Sequence, residues 1–282
     1  GKFVPALAGL SMGDFPGFRN KLPFLGYLAA SACTYAISHI IALKIAPTRP
    51  KNTDVFADAD LIFSLPMYSL LSFLAIQGTR DHWDKGYEAH WYANEGSARH
   101  FVMLYAAMNL VHIPITILKR QSKSYKICMT FHHVLSITCM LSGLLNDRLY
   151  FFAAFDGVCE VSTLALTTLF ILKDGLVGKG SVVNTLITIN GVVLWLTYFV
   201  FRICLFPTWL YFFLTECYYH KEQTCDKISP FEVVMYPCAN IFLLFLSSMW
   251  MIQITQGMLK QIRRRKNATT AKYSVDAVSK QD

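Results

Sequence analysis

Charged residues are scarce in this chain. They account for 16% of its 282 residues, whereas 54% are hydrophobic. In a soluble globular domain about a quarter of the residues are charged, so this sequence has too little polar surface for that class. The shortage of charge therefore predicts an integral membrane protein.

The motifs of common soluble-enzyme active sites are also missing. The sequence has no CxxC pair, no phosphate-binding glycine loop, no nucleophile elbow and no internal repeat. No two histidines stand four residues apart, which is the spacing of metal-binding helices. We therefore expect neither a metal site nor a cofactor. A metal held by His39, His112 and one of His132 and His133 is the less favoured alternative.

What the sequence has instead is long apolar runs. A membrane-spanning helix needs about 20 mostly apolar residues, and seven runs come close to that length or exceed it. They are Leu22–Ile45, Ala59–Gln77, His100–Leu118, Ile127–Leu145, Leu149–Leu172, Ser181–Leu214 and Phe231–Thr255. We expect a break in the sixth run at Pro207, because proline removes a helix donor and clashes with the preceding turn. The predicted fold class is all-α, a polytopic membrane bundle of about seven transmembrane helices.

The runs divide the chain into three parts. Residues 1–21 are expected to be an interfacial lead-in, residues 22–256 the transmembrane bundle, and residues 257–282 a basic, polar tail. From Asn267 onward the tail is polar and lacks periodicity, which predicts disorder. The loop Gly78–Arg99 carries aromatic residues typical of a membrane interface, and we expect it to form a short helix on the membrane surface.

The basic residues flank the apolar runs. A net charge of +8 would suit binding to nucleic acid. Because the basic residues flank the spans, however, we expect membrane lipids as partners and do not expect nucleic acid. The loops on the side of the C-terminus carry 16 Lys and Arg, against 9 on the opposite side. The positive-inside rule therefore predicts a cytosolic C-terminus. The expected membrane is that of the endoplasmic reticulum or another endomembrane. The chain begins with Gly1 rather than Met; if this reflects cleavage of a transit peptide, we expect an organelle inner membrane.

Two of the eight cysteines differ from the others in position. Six lie in apolar runs, where a thiol usually behaves as a small hydrophobic group. Cys217 and Cys225 fall in the last loop on the side opposite the C-terminus. If that compartment is oxidising, they are expected to form a disulfide; two free thiols are the alternative.

Ionisable residues inside the apolar runs are the strongest functional signal. His132 and His133 are neighbours in the fourth run, and Asp156 and Glu160 follow in the fifth. Ionisable groups are costly in hydrocarbon, so they usually mark a functional site or a buried polar pair. With a rise of ~1.5 Å per residue, the histidine pair lies roughly 8–9 Å from the C-terminal side of the bilayer, at about the depth of His112.

This depth predicts a lipid site between the helices. A polar centre walled by aromatic and aliphatic residues would hold the headgroup or carbonyl of an amphiphile near the histidines, with its tail among the helices. The predicted lipid-binding residues are His112, His132, His133, Glu160, Ser162 and Thr163. A purely structural polar core is the alternative.

The acids of the fifth run suggest a structural role as well. Asp156 and Glu160 are one helical turn apart, so we expect them to share a face. Asp156 and Arg202 both fall toward the half of the bilayer opposite the C-terminus. We predict a structural ion pair between them, since unpaired charges are strongly disfavoured there. Glu160 is left without a partner.

Three segments, taken in order, resemble a known family. They are Phe131-His132-His133-Val134-Leu135, Glu160-Val161-Ser162-Thr163, and Phe201-Arg202-Ile203 followed by Pro207. They are similar to the histidine pair, the Glu-x-Ser-Thr stretch and the Arg-plus-Pro helix of the TLC-domain family, named for translocating-chain-associating membrane protein, longevity-assurance proteins and the ceroid-lipofuscinosis protein. The resemblance covers roughly the last two thirds of the chain, and the first run fits by hydropathy only.

The resemblance implies a helical bundle and work on lipids. Ceramide synthases of this family join a fatty acyl group from acyl-CoA to a sphingoid amine. On that analogy His132 or His133 would be catalytic, as a base or transient acyl carrier. The synthases carry a His-Asp and a second Asp three residues later, whereas Phe155–Glu160 has neither that His nor the second Asp. The chain is thus more similar to the small non-synthase members, whose roles lie in membrane lipid composition and transport.

Three functional hypotheses follow, and the leading one does not require catalysis. It is an integral membrane protein that binds or handles a lipid. The alternatives are a ceramide-synthase-like N-acyltransferase, with acyl-CoA as substrate, and a structural accessory subunit of a larger membrane complex with protein partners. A seven-span receptor is less favoured because span count says little about function. A retinal pigment is disfavoured because the last run has no lysine.

Overall fold

The helices of the computed structural model follow the apolar runs. The structure describes residues 21–48, 54–173, 176–178 and 180–278. Its α-helices are α1 (Lys21–Ile45), α2 (Val55–Arg80), α3 (Tyr87–Tyr92), α4 (Gly96–Leu118), α5 (Lys123–Asn146), α6 (Tyr150–Gly157), α7 (Glu160–Lys173), α8 (Ser181–Tyr198), α9 (Leu205–Tyr219) and α10 (Pro230–Val278). No residue in the described ranges is in a strand, and seven helical segments there are long and apolar enough to cross a membrane. The predicted all-α bundle is confirmed.

Three of the seven spans contain two α-helices each. Helix α3 leads into α4, α6 and α7 form the fifth span, and α8, a π-helical stretch (Phe199–Cys204) and α9 form the sixth. The connections alternate between two ends of the bundle. We call the end with residues 81–95, 147–149 and 220–229 the aromatic end. The opposite end, with residues 119–122 and the start of α8, is the basic end.

Small residues allow α4 to lie at the centre of the bundle. This helix contacts α1, α2, α5 and α6, and every side chain from Phe101 to Asn109 is buried. A Cβ at Gly78 of α2 would lie 2.6 Å from the backbone of Ala98, and one at Gly157 of α6 would overlap the ring of Phe101. In lipid, close packing of this kind stabilises helix association, because apolar burial alone does not. The central helix thereby carries its polar residues into the interior.

The fifth span is broken between its two acids. Val158 and Cys159 lie between α6 and α7, and they separate Asp156 from Glu160. The N–H of Cys159 donates to the carbonyl of Asp156 at 3.2 Å, and the N–H of Ser162 donates to the carbonyl of Cys159 at 3.0 Å. These i→i+3 bonds belong to a tighter turn than an α-helix. The prediction that the two acids share a face assumed a regular α-helical turn between them. The structure does not have that turn.

The sixth span departs from α-helical geometry just before its proline. The irregular stretch is the π-helical segment Phe199–Cys204, and Pro207 itself lies inside α9. Pro207 has no N–H for the carbonyl four residues earlier and crowds it, so the preceding turn widens. The predicted break thus occurs about one turn before Pro207, and it includes Arg202. Single π-helical turns are frequent at functional sites.

The loop predicted to lie on the membrane surface packs into the aromatic end instead. Helix α3 is short, as expected, but His90 and Trp91 on it are buried. The carboxylate of Glu216 on α9 accepts hydrogen bonds from Nδ1 of His90 at 2.5 Å and Nε1 of Trp91 at 2.6 Å. The next residue, Cys217, is joined to Cys225 in the disulfide that was expected as one alternative. A carboxylate with two donors holds α3 in place.

A second carboxylate ties α10 to α5 at the aromatic end. Ser229 and Glu232 form a capping box, in which each backbone N–H donates to the other residue's side chain at 3.2 Å. Glu232 is fully buried and also accepts from Ser142, Asn146 and Arg148 at the end of α5 and just after it. This one group therefore fixes both the start of α10 and its neighbour.

Helix α10 continues further than a membrane span requires. It contains 49 residues and ends at Val278, although about 20 residues suffice to span the bilayer. The prediction of disorder from Asn267 is wrong as far as Val278, because residues 258–266 are mostly strong helix formers that continue the span. The lead-in predicted for residues 1–21 lies, except for Lys21, outside the described residues, as does the end of the tail from residue 279.

Candidate functional site

His133 of the histidine pair is held by α4. It is buried, and its Nδ1 lies 2.6 Å from Oδ1 of Asn109. Asn109 donates its amide N–H to the carbonyl of Tyr105 at 2.9 Å, so its oxygen faces His133 and accepts from Nδ1–H. In the neutral ring this tautomer leaves Nε2 with a free lone pair, which a general base or nucleophile requires.

His132 has no such partner. Its ring centroid is 5.4 Å from that of His133, and the charge of Arg202 lies within its electrostatic range. The Nδ1 atom of His132 is buried and has no hydrogen-bond partner among the residues that the structure describes. Buried polar side-chain atoms are paired in the large majority of cases. This nitrogen therefore marks a position where a further group is expected.

Asp60, which the sequence reasoning did not single out, joins the histidines to the basic end. Its Oδ2 accepts from Nζ of Lys119 at 2.7 Å, and its Oδ1 is 3.2 Å from Nε2 of His112 without the alignment of a hydrogen bond. The ring of His112 is in turn 5.5 Å from that of His133. Burial acts to lower the pKa of Lys119, but the Asp60 carboxylate outweighs it and raises that pKa.

The sequence did not predict Asp60 as a site residue. It is the second residue of its apolar run, where a charge usually marks the membrane boundary. A signal was present in the sequence. Lys119 directly follows the third apolar run and so lies at the same end of the bundle. An acid and a base at equal depth on two spans predict a pair.

Arg202 binds two hydroxyl groups rather than the predicted acid. It is 8% exposed and donates from Nε to Oγ of Ser162 and from Nη2 to Oγ1 of Thr163, both at 2.7 Å. The guanidinium also lies 5.2 Å from the ring centre of Tyr198. The prediction of a direct ion pair between Arg202 and Asp156 is therefore wrong, because the two hydroxyl groups take the place of the carboxylate. Depth placed the two residues at similar levels, but the π-helical turn sets the direction of Arg202.

Asp156 has a different partner, on α10. Its Oδ1 accepts from Nδ2 of Asn240 at 3.3 Å. The two residues line a cavity of about 40 Å³, with Tyr105, Ser136 and Tyr236 as its other polar members. Asn240 is 3% exposed, and its Oδ1 is buried without a partner. A buried acceptor without a partner in the described part of the chain therefore belongs to a residue of the cavity wall.

Glu160 lies between these groups. It is buried, and its Oε1 is 3.9 Å from Sγ of the adjacent Cys159. It lies within electrostatic range of Arg202 and of Tyr105. A buried guanidinium needs a compensating charge nearby, and Glu160 is placed to provide it.

These residues make a polar column through the bundle. We use that name for Asp60, Asn109, His112, His132, His133, Asp156, Glu160, Ser162, Thr163, Arg202 and Asn240. Of the predicted site residues, His112 and His133 are brought together with Asp60 and Asn109. Ser162 and Thr163 meet Arg202 and not a histidine.

The alternative metal site is not assembled in the described part of the chain. No group of three or more His, Cys, Asp and Glu side chains there is placed to hold a metal ion. His39 packs against Phe56, with ring centroids 5.1 Å apart, and His112 faces Asp60.

Comparison with known proteins gives one match. Residues 59–256 match the family model of the TLC domain, which covers more than half of the chain, from α2 into α10. Helix α1 lies outside the match. No curated protein and no solved structure matches the chain.

Proposed function

This chain belongs to the TLC-domain family, and on that premise we propose that it binds a membrane lipid inside its bundle and serves membrane lipid homeostasis or transport. The headgroup or carbonyl of the lipid lies in the polar column, and its tail lies among the helices. Family membership supports a link to lipids. The polar column supports a binding site within the bundle. Ionisable residues at this depth cost stability, so they usually mark a functional site.

The observation that carries the proposal is the unpaired Nδ1 of His132. This nitrogen lies beside His133 and within electrostatic range of Arg202. In most structural cores such an atom is paired with a protein group or an ordered water. A lipid hydroxyl or carbonyl can pair it instead, donating to or accepting from the imidazole according to its tautomer.

Retention of lipid through purification tests the proposal. Lipids extracted from the purified wild type, His132→Ala and the His132→Ala/His133→Ala double variant are compared by mass spectrometry. His100→Ala is the matched control, because His100 is an exposed histidine of α4 that contacts Tyr27 at 2.8 Å. We expect the wild type and His100→Ala to retain the same lipid and the other two to lose it. Identical lipid profiles in all four would contradict the proposal.

An acyl-CoA-dependent N-acyltransferase is the second candidate, favoured by the tautomer of His133. With Nδ1–H held by Asn109, Nε2 can accept a proton from an amine or attack an acyl thioester. The composition of Phe155–Glu160 stands against it. Protein in lipid nanodiscs is assayed with acyl-CoA and long-chain amines. Release of CoA that His133→Ala abolishes and His100→Ala retains supports the activity; no turnover with any amine contradicts it.

An accessory role in a larger membrane complex is the third candidate, favoured by the length of α10. The last apolar run ends at Thr255, but the helix continues to Val278. We place this extension in the cytosol, at an endomembrane such as the endoplasmic reticulum, on the positive-inside rule. Native mass spectrometry checks for a bound subunit that is lost when the chain is cut after Lys260. A monomer alone contradicts this role.

A further inference from the structure

The charges exposed at the basic end of the bundle are of one sign. Among the side chains that the structure describes there, six Lys and Arg are exposed and no acidic residue is. They are distributed over α1, the junction of α4 and α5, α7 and α10: Lys44, Arg120, Lys123, Lys173, Lys260 and Arg263. None of the six forms an ion pair with another described residue. This end therefore presents positive charge that the described residues do not neutralise.

The acidic side chains described at this end are engaged within the protein. Asp54 accepts hydrogen bonds from two backbone N–H groups, at 3.1 Å and 2.6 Å. Asp58 is 3% exposed, and Asp60 is paired with Lys119. These three carboxylates serve the fold and the polar column, so they leave the exposed cations without a counter-charge.

The aromatic end differs, because its exposed charges are mixed. Residues 81–95 and 220–229 expose five acidic and three basic side chains: Asp84, Glu88, Glu95, Glu222, Asp226, Lys85, Lys221 and Lys227. The positive-inside rule depends on the numbers of Lys and Arg in the loops, and acidic residues contribute little to it. Topology alone therefore does not explain why no acidic side chain is exposed in the described part of the basic end. A surface of one sign suits a negatively charged partner.

The exposed cations of the basic end lie at the depth of lipid headgroups. Five of the six are within five residues of the end of an apolar run, and Arg263 is eight residues beyond Thr255. Five helical residues rise about 8 Å, and the headgroup region is roughly 5–8 Å thick on each side of the hydrocarbon core. Lys and Arg side chains can extend along apolar surface to reach the headgroups. This position favours a membrane lipid over a soluble polyanion.

Helix α10 extends the positive surface past the hydrocarbon. Its helical backbone continues through the basic run 263–266, and its sequence has no acidic residue between Glu232 and Asp276. Successive helical residues are about 100° apart, so four consecutive basic residues occupy positions around the whole helix. A rotation or tilt of α10 therefore keeps positive charge next to the headgroups. Basic clusters directly after a span are typical of segments that bind anionic lipids.

We propose that the basic end binds anionic phospholipids of the leaflet it faces, through the six exposed cations and the basic run of α10. The ligand is a phospholipid whose headgroup carries a net negative charge, such as phosphatidylserine. Phosphatidylcholine has the same phosphate, but its choline cation neutralises it. Guanidinium and ammonium groups form charge-assisted hydrogen bonds with phosphate oxygens. This surface lies outside the polar column, so the inference goes beyond a lipid bound inside the bundle.

Competition between two phospholipids with the same acyl chains tests this proposal. The full chain, purified and delipidated in detergent, is mixed with equal amounts of phosphatidylserine and phosphatidylcholine, and bound lipids are counted by native mass spectrometry. We expect the wild type to bind several-fold more phosphatidylserine than phosphatidylcholine. Raising the salt from about 0.15 M to about 1 M shortens the Debye length from about 8 Å to about 3 Å, so the preference should then fall. This measurement needs no variant.

Two fourfold variants with the same loss of charge locate the binding surface. One removes cations of the basic end and should bring the two lipids close to equal binding: Arg120→Gln/Lys123→Gln/Lys260→Gln/Arg263→Gln. The other removes exposed cations at the aromatic end and should keep the wild-type preference: Arg80→Gln/Lys85→Gln/Lys221→Gln/Lys227→Gln. Thermal unfolding in the same detergent checks that both variants are folded.

Equal binding of the two lipids by the wild type would overturn this inference, as would a preference that salt leaves unchanged. A preference that survives in the first variant, or is lost equally in both, would also overturn it, because the basic end would not be its source. So would a protein subunit that stays bound there in place of lipid. His132→Ala should keep the preference for phosphatidylserine, so failure of this inference and failure of the proposed function are distinguishable.

Discussion

Glu232 and Asn240 lie on the same helix, about two turns apart, yet their side chains differ in how completely they are paired. The Glu232 carboxylate accepts from side chains of α5, from Arg148 and from the backbone of Ser229. Asn240 is equally buried, but its Oδ1 has no partner. The first residue belongs to the aromatic end and the second to the polar column.

The same contrast separates Glu216 from His132. Glu216 receives donors from His90 and Trp91, whereas Nδ1 of His132 receives none. A paired buried carboxylate stabilises the fold, while an unpaired buried atom costs stability. We therefore interpret Glu216 and Glu232 as structural anchors of the aromatic end, and the polar column as open to a ligand.

Removal of Glu232 should have the largest effect on stability. Glu232→Leu leaves Arg148 without its carboxylate and α10 without its capping box. Loss of one partner from a buried ion pair costs about 3–5 kcal/mol, so we expect a large drop in Tm on thermal unfolding in detergent. Glu222→Gln, in the exposed loop before α10, is the control. An unchanged Tm for Glu232→Leu would show that the aromatic end does not support the fold.

Arg202→Lys should have a smaller effect on stability and a larger one on lipid binding. Lysine keeps the charge but cannot donate to Ser162 and Thr163 in the same fork. One lost buried hydrogen bond costs about 1–2 kcal/mol, and we expect retained lipid to fall several-fold. Thermal unfolding and lipid mass spectrometry are measured on the same sample.

The matched control for Arg202→Lys is Thr168→Val on α7, whose hydroxyl bonds only the carbonyl of Leu164 in its own helix. It should leave both readings nearly unchanged. If Arg202→Lys lowered Tm strongly and left the lipid intact, the column would be structural like the aromatic end.

His82 is an exception to this contrast, because it is a buried histidine at the aromatic end whose ring nitrogens have no well-aligned hydrogen bond within the described part of the chain. Burial lowers the pKa of its imidazole, and Lys85 acts in the same direction. Below the ordinary histidine pKa of about 6.5, the unfolded chain therefore binds a proton that the folded chain does not. The stability contributed by neutral His82 is present above that pH and is lost as pH falls below it.

We expect the smallest effect here. Stability should fall slightly from about pH 7 to pH 5 as the unfolded chain gains its proton, and His82→Phe should flatten this dependence without changing the retained lipid. Thermal unfolding across the pH range checks it, with His220→Phe as control. A pH profile of His82→Phe that matches the wild type would assign the dependence to another group.

The sequence predicted those features that depend on neighbouring residues along the chain. The seven spans, the short helix between α2 and α4, and the depth of the ionisable residues follow from hydropathy and helical rise. Burial of His90 and Trp91 did not follow, because it depends on Glu216, more than a hundred residues away. The break in the fifth span was also missed, since no proline marks it.

The sequence predicted the depth of the site residues in the membrane, but not the direction in which their side chains point. Depth brought His112, His132 and His133 to one layer, and the structure places these rings beside one another. It also grouped Asp156 with Arg202, but a rotation about either helix axis changes the partner without changing the depth. Asp60 was missed because a charge at the edge of an apolar run looks like a boundary.

By itself, the sequence determined that the chain crosses the membrane as a helical bundle and that a few ionisable residues lie within it. Hydrocarbon requires long apolar helices and penalises each charge, and both constraints are local in the chain. Only the tertiary structure decided that Arg202 meets Ser162 and Thr163 and that Asn240 meets Asp156. Such pairs depend on how helices rotate and pack against distant segments.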